Sequence, residues 1–210
     1  MSKSNGVATI TELEPVGNGA ADEITATQPY RVVIKVQGLA DILLHGWNIE
    51  AVAEKGAAAK GSKSKKTDNL ESYVHRDEKG LLCLPGDCLR AAMADAARYE
   101  QDPRSPRKSA RDLVKAGLIP LTPLAPFGIK AWDYVAMHRV VVQRSAITRS
   151  RPALRAGWTC TFDMMVNSPE YLTVPFLQKL AASAGRLQGL GDYRPTYGRF
   201  SIIGFEVRPF

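Results

Sequence analysis

Apolar and polar residues alternate along Tyr30-Arg31-Val32-Val33-Ile34-Lys35-Val36, and β-branched side chains dominate the run. A period of two with that composition predicts a strand. Ile42 to Leu44 predicts a second, short extended piece. Leu81 to Leu84 is an apolar run closed by Pro85-Gly86. Asp87 then stands where a helix N-cap belongs, and Leu89, Ala92, Met93 and Ala96 recur at helical spacing on one face. Asp102-Pro103 ends that helix, and Ser109 to Ala116 predicts another short one. Ile119 to Phe127 is extended and punctuated by proline. Tyr134 to Val142 and Trp158 to Val166 alternate as strands. A helix capped by Thr173 runs through Phe176, Leu177, Leu180 and Ala181, and Arg199 to Val207 is the last strand.

Between these segments the pattern lapses. Residues 1–28 are small, polar and acidic without an apolar period, which predicts a flexible arm able to dock on a neighbouring subunit. Ala57-Ala58-Ala59-Lys60-Gly61-Ser62-Lys63-Ser64-Lys65-Lys66 cannot bury an apolar face and predicts a long loop with a basic tip. The expected organisation is one domain over 29–210 with inserts at about 51–72 and 100–135. Strand, helix, two strands, helix, strand is the order of a ferredoxin-like (RRM-like) βαββαβ core, so the fold class expected is α+β with long loop insertions. The sheet aromatics of the RNA-recognition motif are not evident as a string. Binding is therefore expected to use loops rather than a bare sheet face.

Charge sharpens this picture. The 210 residues carry a formal net charge of +7, which favours a polyanionic partner. Three cysteines, Cys83, Cys88 and Cys160, lack paired metal spacing and suit a reducing compartment. No apolar run reaches the roughly 18 residues of a membrane span, and no secretory signal is visible at the start. The expectation is a cytoplasmic protein with no membrane, metal or cofactor partner.

Two stretches carry candidate chemistry. Gly189-Leu190-Gly191-Asp192-Tyr193-Arg194-Pro195-Thr196-Tyr197-Gly198-Arg199 lies between the last helix and the last strand. Gly189 and Gly191 let backbone approach a ligand, Arg194 and Arg199 suit phosphate, and Tyr193 and Tyr197 suit stacking. An ordinary glycine-rich turn is the alternative. The stretch lacks the lysine and serine or threonine ending of a nucleotide-hydrolase phosphate loop. The second stretch holds Arg139, Arg144, Arg149, Arg151 and Arg155 with no acid among them, whereas solvated faces usually mix signs. Together with Arg186 and Arg90, these arginines are expected to converge with the loop on one groove for a single strand's phosphates.

In this order the segments resemble the RAMP superfamily of CRISPR-associated proteins, and in particular the backbone subunit that polymerises along guide RNA. Tyr73-Val74-His75-Arg76-Asp77 through Leu82-Cys83-Leu84-Pro85-Gly86-Asp87-Cys88-Leu89-Arg90 resembles that family's entry into its first helix. Arg144 to Pro152 before the strand with Trp158, and the closing glycine-rich loop, resemble its later motifs. Asp87 and Cys88 depart from the family's two serines. The resemblance implies a non-catalytic subunit that holds guide RNA and its complementary target strand without reading sequence. It also implies homo-oligomeric neighbours in a filament and contacts with other effector-complex subunits.

Enzymatic alternatives stay open. In some backbone subunits a loop aspartate cuts target RNA; counted without gaps, that place is Glu71 here, with Asp68 three residues earlier. A related branch cuts guide precursors with histidine, for which His45, near a strand end and an aromatic, is the candidate. A single-stranded DNA-binding filament protein is the remaining alternative.

Overall fold

The alternation that begins at Tyr30 becomes the central strand of the principal sheet. In the computed structural model, which describes residues 28–46, 53, 57, 69–142 and 145–210, β1 (Tyr30–Gly38) buries every second side chain, including Val32, Ile34 and Val36. The arm, the basic loop, Asp68 and Arg144 lie outside the described residues.

The elements that follow are β2 (Ile42–Leu43), β3 (His75–Arg76), β4 (Leu82–Pro85), α1 (Asp87–Ala96), β5 (Gln101–Asp102), β6 (Ser105–Ser109) and α2 (Arg111–Gly117). Then come β7 (Leu118–Pro120), β8 (Leu124–Pro126), β9 (Tyr134–Val142), β10 (Ser145–Leu154), β11 (Thr159–Val166), α3 (Val174–Leu187) and β12 (Phe200–Pro209). The principal sheet has the order β12-β1-β11-β7, with antiparallel neighbours throughout. α1 falls between its first and second strands in the chain, and α3 between its third and fourth. The architecture is α+β.

One face of this sheet meets the helices. Val32, Ile34, Phe162, Met164 and Val166 pack with Leu89 and Met93 of α1 and with Leu177, Leu180 and Ala184 of α3. The other face carries ion pairs instead. Arg31 donates to Asp163, and Arg208 Nε donates to Glu206 Oε1 at 2.8 Å. These arginines are matched by acids on the same face.

Two local expectations are corrected. The strand over Tyr134–Val142 exists, but it pairs with β10 in a separate sheet of order β2-β10-β9. The place beside β11 goes to β7, where Leu118 opposes Val166. Asp87 is the first helical residue of α1, and Gly86 takes the N-cap. A Cβ on Gly86 would stand 1.8 Å from the Thr122 carbonyl oxygen, so only glycine lets the chain pass there. Asp87 still favours the helix as an acid in its first turn. Thr173 does occupy the N-cap of α3.

Candidate nucleic-acid interface

The glycine-rich loop leaves α3, crosses the end of β2 and returns into β12. Its route is set by bonds to its own chain. Asp192 N–H donates to Leu43 O at 2.8 Å, Gly198 N–H to Asp41 O at 2.7 Å, and Leu190 N–H to Gly198 O at 2.9 Å. Gly191 and Gly198 have φ of 79° and 74°, and a Cβ would stand 2.5 Å from Leu43 O and 1.7 Å from Leu190 O respectively. The glycines were expected to admit a ligand to the backbone. They admit the protein's own backbone, and most amides of the loop are already used.

The β9–β10 ribbon lies against this loop. Its register places Arg151 opposite Ala136, Arg149 opposite His138 and Thr148 opposite Arg139. Side chains alternate across a strand, so Arg149 and Arg151 share the face toward the loop and Arg139 points to the other face. The expected convergence of the arginines is not met for Arg139 and Arg151. Arg139 is exposed on the outer face beside Met137 and Val141, which are 71% and 72% exposed. Arg151 is only 6% exposed and donates from Nε to Asp192 Oδ2 at 2.8 Å. Arg155 lies over the Tyr134 ring at 5.3 Å.

The two loop tyrosines also serve the fold. His138 stacks on Tyr193 with centroids 4.4 Å apart, and Tyr197 meets it edge-on at 5.5 Å. Tyr193 holds a positive φ of 54°, uncommon for an aromatic residue. Leu43, Ala136 and Ala153 complete this small cluster with Tyr134. Tyr134 donates to Asp41 Oδ2 at 2.6 Å; burial first, and the Asp41 carboxylate next, push its phenol up to about 12.

Three of the expected cations remain at the loop's surface. Arg194 and Arg199 are exposed, and Arg199 Nε donates to Pro195 O at 2.9 Å, which fixes the guanidinium against the loop tip. Arg186 is exposed in the last turn of α3, close in sequence to Gln188, which lines the same cavity as Arg194. Arg90 is engaged elsewhere: it donates to Asp87 Oδ1 at 3.1 Å and to Lys115 O at 3.2 Å, tying α1 to α2.

Of the candidates for catalysis, Glu71 is held by an arginine and His45 stands beside the loop. Glu71 accepts from Arg76, whose guanidinium also donates to Gly80 O at 2.8 Å and Lys130 O at 2.7 Å. The hydrogen bond from Arg76 holds the Glu71 carboxyl below its ordinary range. His45 stands two residues after β2, edge-on to Tyr73 at 4.9 Å, with Nδ1 3.7 Å from Asp192 Oδ2. Arg151 covers the Tyr73 ring at 4.8 Å. Asp192 is thus the hub joining ribbon, loop and β2, and it was not singled out in the sequence. Its signal was its place as the one acid inside a run of glycines and cations.

A cavity of about 330 Å³ opens beside this hub, lined by Leu44, His45, Tyr73, Leu84, Cys88 and Asp192 among others. A second, of about 430 Å³, shares Gly191 and Asp192 with it and includes Asp95, Gln188 and Arg194. Cys83 and Cys160 are buried free thiols, consistent with a packing role. Among the described residues, no cluster of three or more His, Cys, Asp or Glu side chains is placed to hold a metal ion. Among them, too, no helix is long and apolar enough to cross a membrane.

No family model matches the chain, and no curated protein matches it. Among solved structures it is similar to a chain in the cryo-EM structure of the Type III-B Cmr-beta bound to cognate target RNA. The TM-score is 0.52 at 11% sequence identity, over 87% of this chain. The likeness spans 61% of that chain's length, so it covers about three-fifths of the larger protein. At this identity the two share a fold.

Proposed function

We propose that this protein is a non-catalytic, RAMP-type RNA-binding subunit of a cytoplasmic CRISPR effector complex, built on a ferredoxin-like core over 29–210. The observation that carries the reading is the fold shared with a Cmr-beta chain. The sheet order β12-β1-β11-β7, which is fourth-first-third-second in chain order, supports the ferredoxin-like assignment. The exposed Arg186, Arg194 and Arg199 supply the phosphate contacts, with Arg139 acting from the outer face of the ribbon. Arg151 and the two tyrosines shape the loop rather than hold RNA. Contacts of this kind ignore base sequence, so one subunit can hold any guide while pairing with the target strand supplies specificity. Copies along the strand form a filament with other effector subunits.

The test is equilibrium binding of single-stranded RNA by the purified protein over a range of salt concentrations. Several neutralised phosphates give an affinity that falls steeply and log-linearly with salt. Salt-insensitive binding, or a clear preference for DNA of the same sequence, would overturn the reading in favour of a different ligand.

A further inference from the structure

We propose that the cavity between β2, Tyr73, α1 and Asp192 receives the base of one unstacked nucleotide, while Arg194, in the adjoining cavity, holds that nucleotide's phosphate. The proposal rests on the RNA-binding reading above and names where a single base goes.

The cavity volume of about 330 Å³ is at the small end of ligand sites, suited to one planar group and too small for a run of nucleotides. Its walls are mixed as a base requires. Leu44, Leu84 and Pro85 are apolar, whereas His45, His75 and Asp192 bring polar atoms to the rim. These walls are held in advance. Asp192 Oδ2 accepts from Arg151 Nε at 2.8 Å, Oδ1 accepts from Tyr193 N–H at 2.9 Å, and Arg151 in turn covers Tyr73. An ionised carboxylate has about four acceptor sites, so the Asp192 carboxylate has capacity beyond these two bonds. An acceptor at the rim of a base pocket favours an exocyclic amine, as cytosine and adenine carry, over the carbonyl of uracil.

The second cavity supplies the other half of a nucleotide. Gly191 and Asp192 line both cavities, so the two adjoin along this part of the loop. Arg194 lines the polar cavity, two residues after the Asp192 that both cavities share. Both acids that line the polar cavity are matched: Asp95 meets Arg98 at 3.1 Å and Arg111 at 3.3 Å on one carboxylate oxygen, and Asp192 is paired with Arg151 at 2.8 Å. The local balance therefore stays positive and suits a phosphodiester.

The test compares binding of short oligo(rC) and oligo(rU) at fixed salt, with Cys88 alkylation followed in the wild-type protein. The expected result is roughly tenfold to hundredfold tighter binding of oligo(rC), the effect of one hydrogen bond to a charged group. Oligo(rC) should also slow alkylation of Cys88. Cys88→Phe, which plugs the cavity from α1, should abolish the preference while the protein keeps a cooperative melt. Should that variant fail to fold, the alkylation result decides alone. Equal affinity for both oligomers, or Cys88 alkylated at the same rate with RNA bound, would overturn the pocket and leave RNA binding standing. Absence of any RNA binding would overturn both.

Discussion

Nε of Arg151 lies 2.8 Å from Oδ2 of Asp192, joining the inner face of the β9–β10 ribbon to the glycine-rich loop 41 residues later. With Arg151 almost fully buried, removing the carboxylate leaves its charge without a matched partner. Asp192→Asn should cost about 2–3 kcal/mol in urea unfolding. The Arg151→Met, Asp192→Asn double variant should recover part of that loss, giving a clear coupling in a double-mutant cycle.

Gly198 and Gly80 share a φ of 74° but differ in surroundings, since a Cβ on Gly80 meets nothing within 4 Å. Gly80→Ala should cost about 1 kcal/mol, the backbone effect alone. Gly198→Ala adds a collision with Leu190 O and should cost about 3 kcal/mol or more. Thermal melts of the two variants measure the difference.

RNA binding separates surface cations from structural ones. Arg194→Ala and Arg199→Ala should each weaken binding for all sequences and lower the salt slope by about one. Arg151→Ala should lower the melting temperature instead, and leave the slope of the remaining folded protein unchanged. A slope that follows Arg151 would reverse the assignment.

Tyr134 ties the ribbon to Asp41, and its folded pKa of about 12 lies above the ordinary value of 10.0. A raised pKa means stabilisation that is complete below about pH 10 and lost as pH climbs through about 12. Tyrosinate absorbance should therefore show a late-titrating group that Tyr134→Phe removes. In that variant the alkaline loss of stability over the same window should be smaller.

Glu71 is 56% exposed and paired with Arg76. Exposed pairs contribute about 0–1 kcal/mol, so Glu71→Gln should change stability little. No RNA cleavage is expected from the wild type or from this variant. Metal-dependent cutting by the wild type, lost in Glu71→Gln, would assign Glu71 to catalysis.

Strands with a clean period of two, such as β1 and β11, were legible in the sequence, as were α1 and α3 from their apolar faces. β10 was not. Its inward positions hold Arg149 and Arg151 where an apolar residue would signal a strand, and the acid that satisfies Arg151 is far away in the chain. β7 was obscured by brevity and by Pro120. The glycine-rich loop was legible as irregular backbone between α3 and β12, but a glycine that accommodates a ligand and one that accommodates a neighbouring carbonyl look alike in sequence. The loop's exposed arginines were legible as cations; which arginines stayed exposed depended on strand register.

The outward Arg139 and inward Arg151 also restrict how the ribbon can change in length. Losing or gaining a single residue within β9 would exchange its two sides, sending His138 to solvent and Met137 against Tyr193. Changes of two residues would keep the sides as they are. Natural length variation in this ribbon should therefore come in even steps, and an odd step should be found only where a compensating bulge restores the parity.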